Sequence, residues 1–277
     1  MSHARQRGVA IVLAMGVVAL AAMAAAALLA SQSAWSRRAE LGAEHVQAQV
    51  LVQAGVDWAR ALLTDDRRMS SVDHLGEPWA LRLPPVPVDN GELAGQIDDQ
   101  QGSFNINNMA RNGALSPAHL AQFRRLLQIL ELPEGLAVPS LAAHLPLVDL
   151  GELALVPGFD PAVRERLAPF VTALPRFTAI NANTAPPEVL AAVIEGMDLD
   201  AARELAAQRG RAYFRNRAEL LAQLPAGAVV GASDVAISSD YFQASVRVTI
   251  GGAQARGSAL LVREPAGWPT VVWRKYP

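Results

Sequence analysis

Apolar and polar positions alternate with different periods along this chain. Val9 to Ala30 is an unbroken apolar run of 22 residues, preceded by the basic leader MSHARQRG and followed at once by polar Ser31. A helix rises about 1.5 Å per residue, so the run covers roughly 33 Å, enough to cross a bilayer core. From 31 to 63 the pattern becomes amphipathic. Trp35, Ala39, Ala43, Val46, Val50, Ala54, Trp58 and Leu62 recur every three or four residues and mark one apolar stripe, with Arg37, Arg38, Glu40, Glu44, Gln47 and Asp57 mostly off it. No proline falls between Val9 and Leu63, so one helix of 55 residues, roughly 80 Å long, is predicted.

Beyond 63 the period changes three times. Residues 64–112 open with polar TDDRRMSS, where the long helix should end. Pro84-Pro85-Val86-Pro87 follows as an extended connection. Strand-like alternation comes next at Leu93–Ile97 and Ser103–Ile106. Residues 113–224 read as short helices. Ser116-Pro117 starts the first, Asp149 caps one ending near Leu155, and Asp160-Pro161 opens one to about Ala173. Thr184 before Pro186-Pro187 starts one to Ile194, Asp198 or Asp200 one to Arg209, and Asn216 one to Leu224. Residues 225–277 return to period two. Ala244, Val246, Val248 and Ile250 alternate with polar residues, Gly251-Gly252 makes a turn, and Ser258–Arg263 and Thr270–Arg274 supply two further strands. The expected class is α+β: a long N-terminal helix, an α/β head with an antiparallel sheet (64–112 and 225–277), and an inserted all-α domain (113–224) of helix-hairpin-helix or SAM-like type.

Three readings fit the N-terminus: a signal-anchor helix, a secretory signal peptide cleaved among Ala24–Ala27 or at Ala30, and a prepilin cleaved after Gly8. Arg5 and Arg7, with His3 beside them, keep that end cytoplasmic and send the rest of the chain outward. The run exceeds the usual signal-peptide core of roughly 7–15 residues. A helix that continues to Leu63 as the spine of a globular head is pilin architecture.

Several stretches then resemble one family in its own order: RQRGVAIVL at the N-terminus, VDHLGEPWALRLPPVPV at 72–88, GQIDDQQGSFNINNM at 95–109, RFTAINANTAPPEVLAAV at 176–193 and ISSDYFQASVRVTI at 237–250. Together they resemble the K-type minor pseudopilins of the type II secretion system. The resemblance implies a leader at 1–8, cleavage between Gly8 and Val9 by a prepilin peptidase, methylation of the new Val9 amine, a transmembrane helix at 9–30 and a spine helix at 31–63. It also implies I- and J-type minor pseudopilins as partners, a bacterial inner-membrane anchor with a periplasmic head, and a place at the pseudopilus tip. Pilins generally carry glutamate at the fifth mature position. Here that position is Leu13, which fits the K type, the member that lacks the acid; an ordinary lipid-facing leucine fits as well.

Composition narrows the chemistry. The formal charge is −2, and loss of the leader leaves 22 basic against 26 acidic residues, a charge of −4, which suggests no polyanion partner. The absence of cysteine excludes disulfides, thiolate catalysis and cysteine metal sites, and the single lysine, Lys275, excludes a P-loop. The histidines His3, His45, His74, His119 and His144 form no motif. Asp98 and Asp99, adjacent on a strand, point to opposite faces. Asn105, Asn107, Asn108, Asn181 and Asn183 suit turn backbone. No nucleophile sits in a recognisable setting, and the expected protein is not an enzyme.

Two binding functions remain. The resemblance implies a calcium loop between 131 and 149, but that interval holds only Glu131, Glu134 and Asp149, too few carboxylates for six to eight oxygen ligands. The loop reads as deleted and no cofactor is expected. Asp149, Glu152 and Asp160 could form a vestigial site or simply cap helices. The alternative function is a membrane-anchored DNA-uptake receptor, since LVPGF at 155–159 and the segment 180–210 look like helix-hairpin-helix units. Their turns, Gly158-Phe159-Asp160 and Gly196-Met197-Asp198, place an aspartate where phosphate binding wants glycine, so nucleic acid is not expected. The favoured expectation is a minor pseudopilin that initiates or caps the fibre driving export across the outer membrane.

Overall fold

The computed structural model describes residues 3–111, 114–133, 138–264 and 267–276. Helix α1 (His3–Met69) is continuous, and its apolar N-terminal part is long and apolar enough to cross a membrane. It outlasts the predicted end at Leu63 by six residues. Local bonds carry the extra turns: Thr64 Oγ1 donates to the Arg60 carbonyl, and Arg68 pairs with Asp65 at 3.3 Å. The extension carries Asp66 into the interior.

The five-stranded sheet is wholly antiparallel and runs β1 (Leu83–Val88), β2 (Gly91–Asp99), β3 (Tyr241–Ile250), β4 (Ala253–Val262), β5 (Thr270–Lys275). The proline-rich segment is therefore β1, a strand and not a connection. It lies at the sheet edge, the place where missing N–H donors are tolerated and where prolines discourage further pairing. Strands β2 and β3 are partners although residues 100–240 lie between them. The chain leaves the sheet at Asp99, and Asp99 pairs with Phe242 on the returning strand.

The intervening segment contains helices α2 (Pro117–Ile129), α3 (Val138–His144), α4 (Pro161–Leu167), α5 (Pro187–Val193), α6 (Leu199–Arg211) and α7 (Arg217–Ala222), with a 3-10 turn at Leu150–Leu155. Ser116, Asp149, Asp160, Asp198 and Asn216 each accept a backbone N–H at a helix start, as their positions predict. Three readings need correction. Helix α4 stops at Leu167 because Val171–Thr172 is needed as a short strand beside Phe104–Asn105, which is all that remains of the predicted strand at 103–106. Helix α5 starts at Pro187 with Pro186 as its cap, because the Thr184 hydroxyl is committed elsewhere. Helix α3 has no counterpart in the sequence reading.

Two apolar cores result. One packs α1 residues Ala48, Val52, Val56, Ala59 and Leu63 on the inner sheet face through Phe242, Ala244, Val246, Val248 and Ile250, with Trp79 at one end. Gly55 lets the helix come close, since a Cβ there would stand 2.8 Å from Val246 Cγ1. The second core joins Phe123, Leu126, Leu127, Leu190 and Leu205 of the helices with Phe104, Ile106, Met109 and Val235. The segment 104–109, placed with the head from its alternation, thus packs with the helices.

Candidate assembly surface and buried polar hub

The stripe read from the sequence is mostly not the one that packs, although its last member, Leu62, packs partly against the sheet core. The buried positions of α1 are 48, 52, 55, 56, 59, 63 and 66, while Trp35, Val46, Val50 and Trp58 are 74%, 60%, 62% and 52% exposed. Positions 46 and 48, or 50 and 52, differ by about 200° around a helix, so Val46 and Val50 face away from the packed side, while Trp58, about 60° from Gly55, flanks it in a groove with Trp79, Leu81 and Leu93. The helix is apolar on two sides, and the head covers one. Small residues explain the misreading. Ala48, Gly55 and Ala59 carry little hydrophobic signal but allow close contact with the sheet. Leu13 is also exposed, on the apolar part of the same helix. Gly8 and Val9 lie in the first turns, where only the backbone is described.

Where α1, the sheet and the helical segment meet, a polar hub is buried. The Arg263 guanidinium donates through Nη1 to Asp66 Oδ2 at 2.8 Å, through Nη2 to both oxygens of Asp73 at 2.5 and 2.6 Å, and to the Ser239 carbonyl at 2.8 Å. It also lies over the Phe242 ring, 4.8 Å from its centroid. Asp66, Asp73, Glu77 and Arg263 are each under a tenth exposed. Glu77 accepts from the His74 N–H and from Trp79 Nε1. Burial, reinforced by Glu77 and Asp73, pushes the Asp66 carboxyl up to about 6 against the pull of Arg263. Burial raises Asp73 in the same way, against Arg263 and the Ser239 N–H.

Asp99 extends this hub. Its Oδ2 accepts from Asn181 Nδ2, Thr184 Oγ1 and Ser239 Oγ at 3.0, 2.6 and 2.7 Å, and its Oδ1 from the Gln101 N–H. Burial of the carboxyl lifts it to about 6 although each of these bonds favours the charged form. Asp98, one residue earlier, points the other way and accepts from Gln96, as the strand period requires.

The asparagines serve backbone groups, as anticipated. Asn107 Nδ2 donates to the carbonyls of Leu147 and Leu174, and its Oδ1 accepts the Leu147 N–H. Asn183 bonds both the N–H and carbonyl of Phe214, and Asn105 and Asn108 hold the segment 174–178. The described histidines are engaged separately: His45 with Gln49, His74 stacked on Tyr213, His119 with Ser116, and His144 with the Ser140 carbonyl. Asp149 pairs with Lys275 and caps Gly151, Glu152 takes the Val148 N–H, and Asp160 caps α4. Among the described residues these three acids do not gather as ligands. Asp66, Asp73 and Glu77 do come within 4.8 Å of one another, but Arg263 already occupies that space with its charge. In the two candidate phosphate turns, Asp160 and Asp198 accept the Val163 and Ala201 N–H groups themselves.

Residues 180–238, and separately 134–176, match the family described as type II secretion system (T2SS), protein K. The type II secretion system protein K of Pseudomonas aeruginosa is 32% identical, over 89% of this chain and 85% of its own length. The chain belongs to the type II secretion system protein K family. A further protein K, from Klebsiella pneumoniae, is 28% identical over all of this chain and 98% of its own length. The fold matches a chain in the crystal structure of the GspK-GspI-GspJ complex from enterotoxigenic Escherichia coli, with a TM-score of 0.68 and 21% identity over 87% of this chain and 99% of that one. Within this protein K fold, the hub was invisible to sequence reading. Arg263 lies 197 and 190 residues from its two acidic partners, and no local pattern marks it.

Proposed function

We propose that this protein K is a non-catalytic minor pseudopilin, made as a prepilin, cleaved after Gly8 by a prepilin peptidase and methylated at Val9. Its helix anchors it in the inner membrane with the head in the periplasm, and after assembly it caps the tip of a short pseudopilus with I- and J-type partners. The observation that carries this reading is the second apolar face of α1. Val46 and Val50 stand in solvent on the side away from the head, in line with the membrane segment. An apolar helix face that its own domain leaves uncovered marks a contact with other chains. The structural relative belongs to a complex with GspI and GspJ, which supports those partners. Leu13 in place of a glutamate removes the carboxylate that would meet a neighbouring amine, and this suits a terminal subunit.

The absence of cysteine makes single-cysteine cross-linking clean. Val50→Cys in cells should cross-link to the I- or J-type subunit, while Arg203→Cys on α6 should not. Absence of any Val50→Cys product would remove the assembly role of this face. N-terminal sequencing should find Val9 first; Ser31 or a nearby residue would instead mean an ordinary signal peptide. Immunogold label along the whole shaft would exclude a tip position. Salt-sensitive retention of duplex DNA, lost on mutation at 158–160 or 196–198, would favour the DNA-uptake alternative.

A further inference from the structure

We propose that the outer face of the sheet is a docking site for a short acidic peptide segment of a protein partner. The inner face is filled by α1. Half of the outer face is closed by Tyr241, Leu260 and Val262 packing with Leu174 and Trp273. The other half is an open groove lined by Arg82, Gln96, Ser245, Arg247, Arg256 and Ser258. Arg247 and Arg256 are direct cross-strand partners, and both are exposed. Directly opposed residues have Cβ atoms about 4.5–5.5 Å apart, where like charges destabilise a sheet. Arg82 adds a third charge at the start of β1. Among the described residues, none of these three arginines forms an ion pair, whereas Arg263 is compensated by two aspartates, Arg60 by Asp57 and Lys275 by Asp149.

Each exposed guanidinium can hold one carboxylate through two parallel N–H bonds, so the paired arginines suit two carboxylates on one segment. Gln96, Ser245 and Ser258 lie between and beside them and can bond the main chain of an extended segment. The patch is short. On the same face of β2, Glu92 opposes Thr249 and Asp98 opposes Gln243, so acids bound the arginines at both ends. A long polyanion would meet these acids, and the chain's formal charge of −2 gives it no further attraction. Two or three carboxylates on a peptide meet only the arginines. The groove and the exposed face of α1 are on opposite sides of the sheet, so occupation of one leaves the other free, and this inference does not depend on the assembly reading.

The test uses the full chain in detergent and a fluorescent peptide of alternating Glu and Ser, with its Gln–Ser counterpart as control. Anisotropy should show binding of the Glu peptide alone, weakening as salt rises. Arg256→Glu should weaken binding by about tenfold or more, because it both removes a donor and places a repelling charge in the groove. The same substitution turns a repelling cross-strand pair into an attracting one, so the variant should melt at a higher temperature than the parent, which shows that it folds. Arg203→Glu, on the surface of α6, should bind like the parent. Failure of the Glu peptide to bind, equal binding of the Gln peptide, or undiminished binding by Arg256→Glu would each overturn the proposal, as would a preference for duplex DNA over the peptide.

Discussion

Arg263→Ala is the perturbation with the largest expected effect on the folded head. It deletes the Nη1 bond to Asp66, the two bonds to Asp73 and the bond to the Ser239 carbonyl, and it removes the cation from the Phe242 ring. What remains matters more than what is lost. Asp73 keeps the Ser239 N–H, but Asp66 has lost its cation, and both carboxylates stay buried beside Glu77. Removing one partner of a buried ion pair costs about 3–5 kcal/mol, and here two carboxylates share the loss, so the upper end of that range is expected. The chain from Ser31 onward, unfolded in urea and followed by the fluorescence of buried Trp79, gives the measurement. The two acids escape the penalty by binding protons. The deficit should therefore shrink when the comparison is repeated at about pH 5, below the raised Asp66 value of about 6. Arg263→Met combined with Asp66→Asn and Asp73→Asn should recover most of the loss, since no unpaired charge is left. A loss below about 1 kcal/mol, or one that does not change between about pH 7.5 and 5, would refute the claim that uncompensated charge dominates.

The parent protein should also respond to pH. The carboxyls of Asp66 and Asp99 sit near 6 in the folded state, above the usual aspartate value, so their proton-linked stabilisation is complete below about 4 and is lost as pH rises through about 6. The melting temperature should accordingly rise as the pH falls from neutral towards 5, and a flat profile would count against the buried protonation. Asn107→Leu leaves the Leu147 N–H and the Leu147 and Leu174 carbonyls without a partner and should cost about 2–4 kcal/mol in the same urea assay. Gly55→Val should cost at least about 1–3 kcal/mol, because its Cβ already meets Val246 at 2.8 Å; a neutral result would mean that the sheet yields there. Melts in calcium and in chelator should nearly coincide, since Asp149, Glu152 and Asp160 are engaged as caps and ion pairs; a rise of many degrees with calcium would reveal a site.

Local rules settled much of this protein from its sequence. The apolar run and the absence of proline dictate one long helix, because helix propagation needs only neighbouring residues. Asp160, Asp198 and Asn216 announce their helices, because a cap bonds an N–H three residues away. The two-residue period of Ala244–Ile250 with Gly251 sets a hairpin. Gly251 has a φ of +51°, and a Cβ there would run into Glu44 of α1. The candidate processing residues Gly8 and Val9 are likewise legible only as sequence. Long-range packing decided the rest. Which side of α1 turns inward depends on close approach to a sheet that forms from residues far along the chain, and close approach favours alanine and glycine over the large residues of the visible stripe. The proline segment became a strand because an edge position was open to it. The pairing of β2 with β3, the charge hub at Arg263 and the facing arginines at 247 and 256 all join residues that no short window contains. Only the closed sheet brings them together, since their attraction or repulsion acts through space and leaves no period in the sequence.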